Sequence, residues 1–270
     1  MAGDIVRAAV VQVLADEDTG RNIAHAGELV QAAAAAGAAL VVLPERWNWW
    51  GSASRIHEGA EALDGPSLTA ARGWARDLGI AIVAGSVLEA TGDATRPFNA
   101  SVLIGPDGRD RAHYRKVHLF DAVVDGQAYR ESDTVQAGAG LATAEVAGLY
   151  VGLSVCYDLR FPEMYRALVA TGATALAVPA NFTRPTGAAH WEALLRARAI
   201  ENQCFVLAAG QCGIHATGEG AWGHSMIVDP WGVVLSDVPE GEGFAAADLD
   251  LAAQRGIRDM LPVLRHRRLP

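Results

Sequence analysis

Short apolar runs alternate with helix-length segments along most of the chain, and this alternation limits the folds that the chain can adopt. The apolar runs predict strands at residues 5–13, 39–43, 80–87, 98–104, 150–155, 173–178, 204–209 and 225–228. The segments between several of them predict helices at residues 21–36, 67–78, 163–170 and 188–202. Strands that alternate with helices in this way are typical of a layered α/β protein.

Two segments of the chain are similar to each other: GAALVVLP at residues 37–44 and GATALAVP at residues 172–179. Each follows a predicted helix and precedes a second helix, a strand and a hairpin turn. The halves 1–115 and 141–248 are therefore candidates for copies of one unit, packed sheet on sheet with the helices outside. The alternative is that any passage from helix through glycine to strand looks like this in an alanine-rich chain.

No linker rich in serine, glycine or proline divides the 270 residues, so the sequence predicts one domain over 1–270. Because 31 acidic residues outnumber 22 basic ones, giving a net charge of −9, nucleic acid is not expected as a partner. The alanine-rich run at residues 31–40 is too short to span a bilayer, which takes about 20 residues, so no membrane partner is expected.

The cysteines, Cys156, Cys204 and Cys212, lack the C-x-x-C spacing of a zinc ribbon and do not form the even set of a disulfide framework. The first 20 residues are expected to contain a strand rather than a secretory leader. Together these features favour a cytoplasmic protein.

Three chemically reactive side chains follow predicted strands. Glu45 follows strand 39–43, Cys156 follows strand 150–155, and Lys116 ends the segment after the turn at Gly108. Ligands bind outside the carboxyl ends of strands in α/β sheets, where loops converge on a rigid frame. An acid, a thiol and an amine at such ends form a candidate catalytic site.

Cys156 lies on a sharp passage from a strand to a helix that begins near Pro162, with Glu163 in its first turn. Backbone N–H groups at such a turn point outward and can stabilise a developing anion. The alternative for Cys156, as for Cys204 and Cys212, is a small buried apolar residue.

Glu45 lies between an apolar strand and the tryptophans Trp47, Trp49 and Trp50. We expect partial desolvation to raise its pKa toward the range of a general base. The alternative is a capping or surface carboxylate. The cluster itself either narrows a pocket or anchors a core or interface.

Lys116 belongs to HYRKVHLFD, whose alternation is strand-like, so Arg115 and Lys116 are expected to face opposite sides. A lysine that faces the site stabilises an oxyanion as a fixed cation. The alternative is a solvated strand end. His118 would suit a Cys–His pair, but nothing else in the sequence favours that pair over the combination of Cys156, Glu45 and Lys116.

Three motifs carry a resemblance to a known family: LPE at residues 43–45, YRKVHLFD at 114–121 and CYDLRFPE at 156–163. In order and spacing they resemble the signature segments of the nitrilase, or carbon–nitrogen hydrolase, superfamily. The similarity continues through residues 179–213 and 223–232, and so covers nearly the whole chain. The C-terminal part is most similar to the branch that contains deaminated glutathione amidase and omega-amidase, and AIENQC…AAGQCG favours the former.

The resemblance implies a four-layer α-β-β-α sandwich, a homodimer or higher homo-oligomer, a small-molecule amide substrate and no cofactor. It implies that Cys156 is the nucleophile and Glu45 transfers its proton, while Lys116 and the backbone N–H of Tyr157 hold the oxyanion. It also places a second glutamate at Glu131, which would orient Lys116 or the attacking water. The alternative for Glu131 is an exposed loop carboxylate.

The substrate contacts implied by the resemblance are Arg160, Tyr157, Phe182 and Thr186. An arginine four residues after the cysteine suits a substrate carboxylate. The alternative is that Arg160 pairs with Asp158 or Glu163 at the helix start.

No metal site is predicted, because His190, His215 and His224 have no second ligand at metal-binding spacing. The expected function is an amidase of deaminated-glutathione type that acts through a cysteine thioester. Alternatives are an omega-amidase on alpha-ketoglutaramate or succinamate, an N-carbamoyl amide hydrolase, a nitrilase, and a non-catalytic scaffold. The presence of Glu45, Lys116 and Cys156 together favours an enzyme over the scaffold.

Overall fold

A computed structural model describes residues 4–93 and 96–269 of the chain. The strands are β1 (Ile5–Gln12), β2 (Leu40–Val42), β3 (Ala60–Glu61), β4 (Ala81–Val83), β5 (Val87–Glu89), β6 (Phe98–Ile104), β7 (Asp110–Arg115), β8 (Asp121–Val124), β9 (Gln127–Arg130), β10 (Thr143–Val146), β11 (Leu149–Leu153), β12 (Ala175–Ala180), β13 (Phe205–Gly210), β14 (Cys212–Ile214), β15 (Gly220–Trp222), β16 (Ser225–Val228), β17 (Val234–Val238) and β18 (Gly243–Asp250). The α-helices are α1 (Thr19–Ala35), α2 (Pro66–Leu78), α3 (Glu131–Thr134), α4 (Pro162–Ala170), α5 (Arg184–Asn202), α6 (Leu251–Met260) and α7 (Val263–His266). Short 3-10 helices lie at Ala53–Gly59 and Cys156–Arg160.

The first sheet has the strand order β18-β1-β2-β4-β6-β5-β3, and β7 pairs with β6. Strands β1, β2 and β4 are parallel, with α1 and α2 in the connections between them, because parallel neighbours need a crossover. Strand β6 is antiparallel to β4 and forms a hairpin with β7.

The second sheet, β10-β11-β12-β13-β16-β17, repeats this plan. Strands β11, β12 and β13 are parallel and connected through α4 and α5, and β16 and β17 continue the sheet as an antiparallel hairpin. Antiparallel β18 flanks β1 as antiparallel β10 flanks β11. The predicted duplication is therefore present in the topology, and the similar segments 37–44 and 172–179 include all of β2 and most of β12, the second parallel strand of each half.

The core is divided by the alternation of side chains along the strands. On β1, Val6, Ala8 and Val10 face the second sheet, in the same cluster as Val151 and Ala175. The intervening side chains face the helices α1 and α2 and form an outer core with them; examples are Ala9, Val11, Ala26, Val30, Leu68 and Ala71. With α4 and α5 on the far side, the layers follow the order α-β-β-α, as the sequence predicts.

The predicted strand at residues 80–87 is wrong as a single element, because β4 ends at Val83 and β5 begins at Val87. Gly85 lies between them with a φ of +43°, and a Cβ there would be 2.0 Å from the carbonyl oxygen of Pro44. The chain turns at this glycine because its backbone passes directly against the residue that precedes Glu45. Within the described ranges, no helix combines the length and apolarity that a membrane crossing needs.

Candidate active site

A cavity of about 210 Å³ opens where β2, β7 and β11 end, and Glu45, Lys116, Glu131 and Cys156 line it. Glu45 comes from the first half of the duplicated fold and Cys156 from the second, while Lys116 and Glu131 come from the segment that connects the halves. The structure therefore brings together the four residues that sequence reasoning singled out for catalysis. Strands β2 and β7 of the first sheet and β11 of the second end near the same place, which brings Glu45, Lys116 and Cys156 together.

Glu45 is only 4% exposed and uses both carboxylate oxygens. Its Oε1 accepts hydrogen bonds from Asn99 Nδ2 at 2.8 Å and from Lys116 Nζ at 3.0 Å. Its Oε2 accepts a hydrogen bond of 2.8 Å from the backbone N–H of Asn181, which follows β12. These contacts hold the carboxylate in one orientation beside Cys156.

Lys116 is buried between two glutamates. Its Nζ donates to Glu45, and it lies 3.0 Å from Oε1 and 2.8 Å from Oε2 of Glu131. Glu131 is itself held by the backbone N–H of Phe120, which donates to Oε2 at 2.7 Å. Arg115 points the other way and pairs with Glu89, as the predicted alternation requires. The ammonium group is therefore fixed by side chains that reach it from two sides.

Cys156 begins a 3-10 turn that follows β11, and its φ of +51° is in the left-handed region that non-glycine residues rarely adopt. Asp158 stabilises this conformation, because its Oδ2 accepts a hydrogen bond of 2.8 Å from Val155 N. Arg198 on α5 also fixes the turn, with Nε and Nη2 donating to the carbonyl of Leu159 at 3.0 and 2.8 Å. A strained residue held from both ends is common where a side chain must be presented for reaction.

The turn of Cys156 is also tied to the segment that carries Lys116. Tyr114 Oη donates to Asp158 Oδ2 at 2.6 Å, and the backbone N–H of His118 donates to Oδ1 at 3.1 Å. The His118 ring, at 2.8 Å from the same Oδ1, stacks on Phe161 rather than approaching the thiol. The Cys–His pair considered from the sequence is therefore wrong, since His118 is bonded to Asp158.

The charges at the site shift the pKa values of its members. Burial raises the pKa of Cys156 well above the ordinary value of a thiol, and the nearby charge of Glu45 and a hydrogen bond with it raise it further. Burial lowers the pKa of Lys116, but Glu131 and Glu45 outweigh it, and the pKa lies well above its usual value. The resting site thus holds a neutral thiol and a charged ammonium.

The expected rise in the pKa of Glu45 is wrong. Burial does raise this pKa, but the charge of Lys116 and the hydrogen bonds from Cys156, Lys116 and Asn99 outweigh burial, and the net change is a decrease. The carboxylate is therefore ionised and ready to accept a proton, and the opposite charge beside it is the reason.

The predicted substrate contacts lie around a second, smaller pocket of about 20 Å³ that shares Cys156 with the larger cavity; they are Tyr157, Arg160, Phe182 and Thr186. Arg160 lies over the rings of Phe182 and Tyr157, at 5.1 and 5.9 Å, and its Nη1 is 3.2 Å from His190 Nδ1. The alternative for Arg160, an ion pair with Asp158 or Glu163 at the helix start, is wrong, because neither carboxylate forms an ion pair with Arg160 in the described part of the chain.

The tryptophan cluster serves two purposes. Trp47 is fully buried, donates through Nε1 to the carbonyl of Ala84 at 3.1 Å, and belongs to the outer core. Trp49 is buried in a small separate cluster. Trp50 instead lines the larger cavity. The interpretation as a core anchor therefore holds for Trp47 and Trp49, and the interpretation as part of a pocket holds for Trp50.

Sequence reasoning missed three residues that orient Glu45. Asn99 and Asn181 bond its carboxylate directly, and His215 holds Asn181, whose Nδ2 donates to His215 Nε2 at 3.1 Å. His215 Nδ1 lies 3.1 Å from the carbonyl of Ala15, which can only accept, so Nδ1 carries the proton. Burial lowers the pKa of His215 to about 4, which keeps the ring neutral.

A signal for the asparagines exists in the sequence. Asn181 directly follows an apolar strand, as Glu45 and Cys156 nearly do, and Asn99 is a polar residue inside the apolar run 98–104. His215 follows a short strand with no local pattern to single it out.

The family model described as carbon-nitrogen hydrolase matches residues 7–259 of the chain. The chain is 40% identical over 264 residues to a protein named deaminated glutathione amidase from Synechocystis, an alignment that covers 96% of this chain and 97% of that protein. It also resembles the crystal structure of Saccharomyces cerevisiae Nit3, a member of the nitrilase superfamily, with a TM-score of 0.88, 29% identity, and coverage of 98% of this chain and 97% of that one.

A third similarity concerns the cysteine. The chain resembles a mutant of the amidase from Nesterenkonia sp. AN1 with a TM-score of 0.80, 27% identity, and coverage of 97% of this chain and 94% of that one. That structure shows covalent addition of the acetamide moiety of fluoroacetamide at the active-site cysteine. With a family match over most of its length and a relative at 40% identity, the chain belongs to the carbon–nitrogen hydrolase family and is a hydrolase of carbon–nitrogen bonds other than peptide bonds.

Proposed function

We propose that the chain is an amidase that hydrolyses a small carboxylate-bearing amide through a thioester on Cys156. One observation carries this proposal: Glu45 contacts Lys116 at 3.0 Å and hydrogen bonds with the thiol of Cys156 inside one buried site. A base, a cation and a nucleophile in mutual contact are what amide hydrolysis through a covalent intermediate requires.

In the acylation step, the thiol of Cys156 gives its proton to Glu45 as Sγ bonds to the amide carbon. The carbonyl oxygen becomes an oxyanion, which Lys116 Nζ and the backbone N–H of Tyr157 stabilise. The C–N bond then breaks, the electron pair stays on nitrogen, and Glu45 returns the proton to it. The amine leaves and a thioester remains. A general base contributes about 10²–10⁴ in rate and an oxyanion donor about 10²–10³.

In the deacylation step, Glu45 accepts a proton from water while the oxygen attacks the thioester carbon. The second oxyanion forms at the same place and collapses as the C–S bond breaks, and Sγ recovers the proton from Glu45. Glu131 acts through Lys116, because it bonds the ammonium with both oxygens and keeps it charged and in position.

For the substrate we propose the class of deaminated glutathione, by similarity to the Synechocystis relative of that name. Such a compound carries one carboxylate on its acyl part and one on its amine part. Arg160 is a candidate contact for a carboxylate, and Tyr157, Phe182 and Thr186 are candidate contacts for the acyl chain around the smaller pocket.

We also propose that residues 1–270 form one domain that works as a homodimer in the cytoplasm. The free thiols of all three cysteines suit a reducing compartment. Ile200 on α5 and Trp231 and Val233 of the neighbouring hairpin are at least half exposed, and apolar side chains grouped in this way suit a subunit interface. Light scattering of purified Trp231→Glu tests the dimer, since a monomer is the expected result.

The experiment for the activity is a product screen with purified protein. The panel is deaminated glutathione, alpha-ketoglutaramate, succinamate, N-carbamoyl amino acids and simple nitriles, and both the released amine or ammonia and the acid are measured. We expect the highest kcat/KM on deaminated glutathione. Highest turnover on succinamate or alpha-ketoglutaramate would favour an omega-amidase, and inactivity on every compound would favour a scaffold.

The role of each residue is tested with matched variants. We expect Cys156→Ala and Glu45→Gln to lose turnover by at least about 10³-fold while keeping their secondary structure. The controls are Cys204→Ala, whose thiol lies where β13 begins, and Glu28→Gln on α1, which remove the same groups away from the site. Near-normal turnover in either catalytic variant would overturn the assignment.

A further inference from the structure

Arg46 brings a positive charge into the larger cavity directly after Glu45. Its φ of +50° turns the backbone, and its side chain lines the cavity. The guanidinium group lies over the ring of Trp50 at 4.3 Å and near that of Trp49 at 5.3 Å. The sequence predicts a role for Trp47, Trp49 and Trp50 of this loop but none for Arg46.

The guanidinium is unpaired within the described residues 4–93 and 96–269. Its Nε and Nη2 are buried without a hydrogen-bond partner there, and none of the ion pairs in those ranges involves it. A buried cationic donor without a partner is costly, so such groups in proteins normally bind something. Burial lowers the pKa of Arg46, and the negative charges of Glu45, Glu131 and Glu219 raise it but do not outweigh burial, so the pKa is about 10. The guanidinium is therefore still charged at neutral pH.

The neighbouring carboxylates do not neutralise Arg46 at contact distance. Glu45 and Glu131 both bond Lys116 instead. Glu219 lines the cavity with an accessible side chain and accepts a hydrogen bond of 3.3 Å from Thr217. Arg46 therefore brings a charge without an ion-pair partner in the described ranges to the wall of a cavity that a substrate anion can enter.

The group is also rigidly supported. The ring of His215 stacks on Trp50 at 4.7 Å with 18° between the planes, and the guanidinium of Arg46 also lies over the Trp50 ring. His215 in turn holds Asn181, which bonds Glu45. A guanidinium stacked on an aromatic face keeps its edge free for a planar anion, and arginine binds carboxylates in this way.

We propose that Arg46, supported on Trp50, is a specificity-determining residue that binds a carboxylate of the amide substrate in the larger cavity. This inference rests on the proposed amidase function. The cavity at Arg46 measures about 210 Å³, which leaves room there for a part of the substrate that ends in a carboxylate. The preferred substrates are amides that carry a negative charge remote from the reacting carbonyl.

The test compares pairs of amides that share a shape and differ in charge. In the first pair, succinamate carries a charge on its acyl part and succinamide is neutral. In the second pair, butyrylglycine carries a charge on its amine part and butyrylglycinamide is neutral. The enzymes are wild type, Arg46→Met, Arg46→Lys and Arg160→Met, with Arg109→Met as a control for the loss of an exposed positive charge elsewhere. The readout is the ratio of kcat/KM between the charged and the neutral member of each pair.

We expect Arg46→Met to lower this ratio by about 10-fold to 100-fold in the pair whose charge reaches Arg46, because a hydrogen-bonded charge pair is lost. Arg46→Lys should restore part of it and Arg109→Met should leave it unchanged. The pair that responds tells which part of the substrate carries the carboxylate. A ratio that responds to Arg160→Met but not to Arg46→Met would overturn the inference.

Binding to the Cys156→Ala protein gives a readout without turnover. Calorimetry of the responding amide should show a Kd weakened about 10-fold or more when Arg46→Met is added. An unchanged Kd would overturn the inference. If the wild-type enzyme hydrolyses none of the amides in either test or in the product screen, the proposed function fails, which is a different result from an active enzyme that is indifferent to Arg46.

Discussion

Tyr114 Oη donates a hydrogen bond of 2.6 Å to Asp158 Oδ2, and this bond connects the segment that carries Lys116 to the turn that carries Cys156. The two partners belong to different halves of the duplicated fold. The same Tyr114 oxygen accepts from the backbone N–H of Val117 at 3.0 Å, so it also fixes the chain immediately after Lys116. The distance between ammonium and thiol is thereby set by a buried contact outside the cavity.

The first prediction removes this contact. Tyr114→Phe deprives Val117 N of its acceptor and Asp158 of one donor, and we expect kcat to fall by about 10-fold to 100-fold with a small change in KM. The free energy of unfolding should decrease by about 1–3 kcal/mol, because buried polar groups lose partners. Tyr150→Phe is the control, since its hydroxyl lies 3.4 Å from Thr143 away from the site. A KM effect without a kcat effect would contradict the positioning role.

The second prediction concerns the pH dependence of kcat/KM. Glu45 is a base only when ionised, and Lys116 holds its pKa below the ordinary value of 4.5, so the acid limb should lie below that pH. Cys156 and Lys116 keep their protons above pH 9, because their pKa values lie well above 9.0 and 10.5. The profile should therefore be flat between about pH 5 and pH 9. A limb near pH 7 in the range where the protein is folded would contradict this charge state.

The third prediction uses Glu131. Glu131→Gln removes the carboxylate that most strongly raises the pKa of Lys116, so the basic limb should move to lower pH and the acid limb should stay. We expect kcat at neutral pH to decrease by about 10-fold to 100-fold. Glu192→Gln, a change at an exposed glutamate, should shift neither limb. A uniform loss of rate with an unmoved basic limb would show that Glu131 acts on the water or substrate instead of through Lys116.

Much of this site follows from strand ends and side-chain alternation, which are local properties of the sequence. The end of β2 places Glu45, and the two-residue period in β7 separates Arg115, which pairs with Glu89, from Lys116. These relationships depend on neighbouring residues alone, so the sequence predicts them.

Other features depend on contacts between distant segments and could not be predicted from the sequence. Asn99 reaches Glu45 across the sheet, and against the effect of burial the charge that lowers the pKa of Glu45 belongs to Lys116, 71 residues away. The separation of β4 from β5 arises because Gly85 passes the carbonyl of Pro44. In each case a short-range pattern is compatible with several outcomes, and tertiary packing selects one.

The fourth prediction concerns stability. Burial raises the pKa of Glu89, but hydrogen bonds from Arg115 and His113 outweigh it and lower the pKa to about 2. Because the folded pKa is depressed, the stabilisation is present above the ordinary value of 4.5 and is lost as the pH falls toward 2. We expect Glu89→Gln to lower the free energy of unfolding by about 2 kcal/mol at pH 7, discounted because Arg115 is partly exposed. Denaturant unfolding should show this difference from wild type shrinking as the pH falls below 4.5.

The fifth prediction concerns Gly85, which supports the loop of Glu45 from behind. Its φ is +43°, and a Cβ would lie 2.0 Å from Pro44 O and 2.5 Å from Leu43 O. Both are backbone atoms, which cannot move aside as the end of a flexible side chain can. Gly85→Ala should therefore displace the Pro44–Glu45 peptide or unfold the protein locally, with a loss of at least about 2 kcal/mol in the free energy of unfolding.

Activity distinguishes local displacement from a general loss of stability. A shift of about 1 Å at Glu45 is enough to cost about 100-fold in kcat, so the folded fraction of Gly85→Ala at low temperature should still be impaired. Gly140→Ala is the matched control, because a Cβ there meets nothing within 4 Å and its φ is not in the left-handed region. If folded Gly85→Ala had wild-type kcat, the placement of Glu45 would not depend on the close approach of Gly85 to the carbonyl of Pro44, and a role for Gly85 in orienting the base would be contradicted.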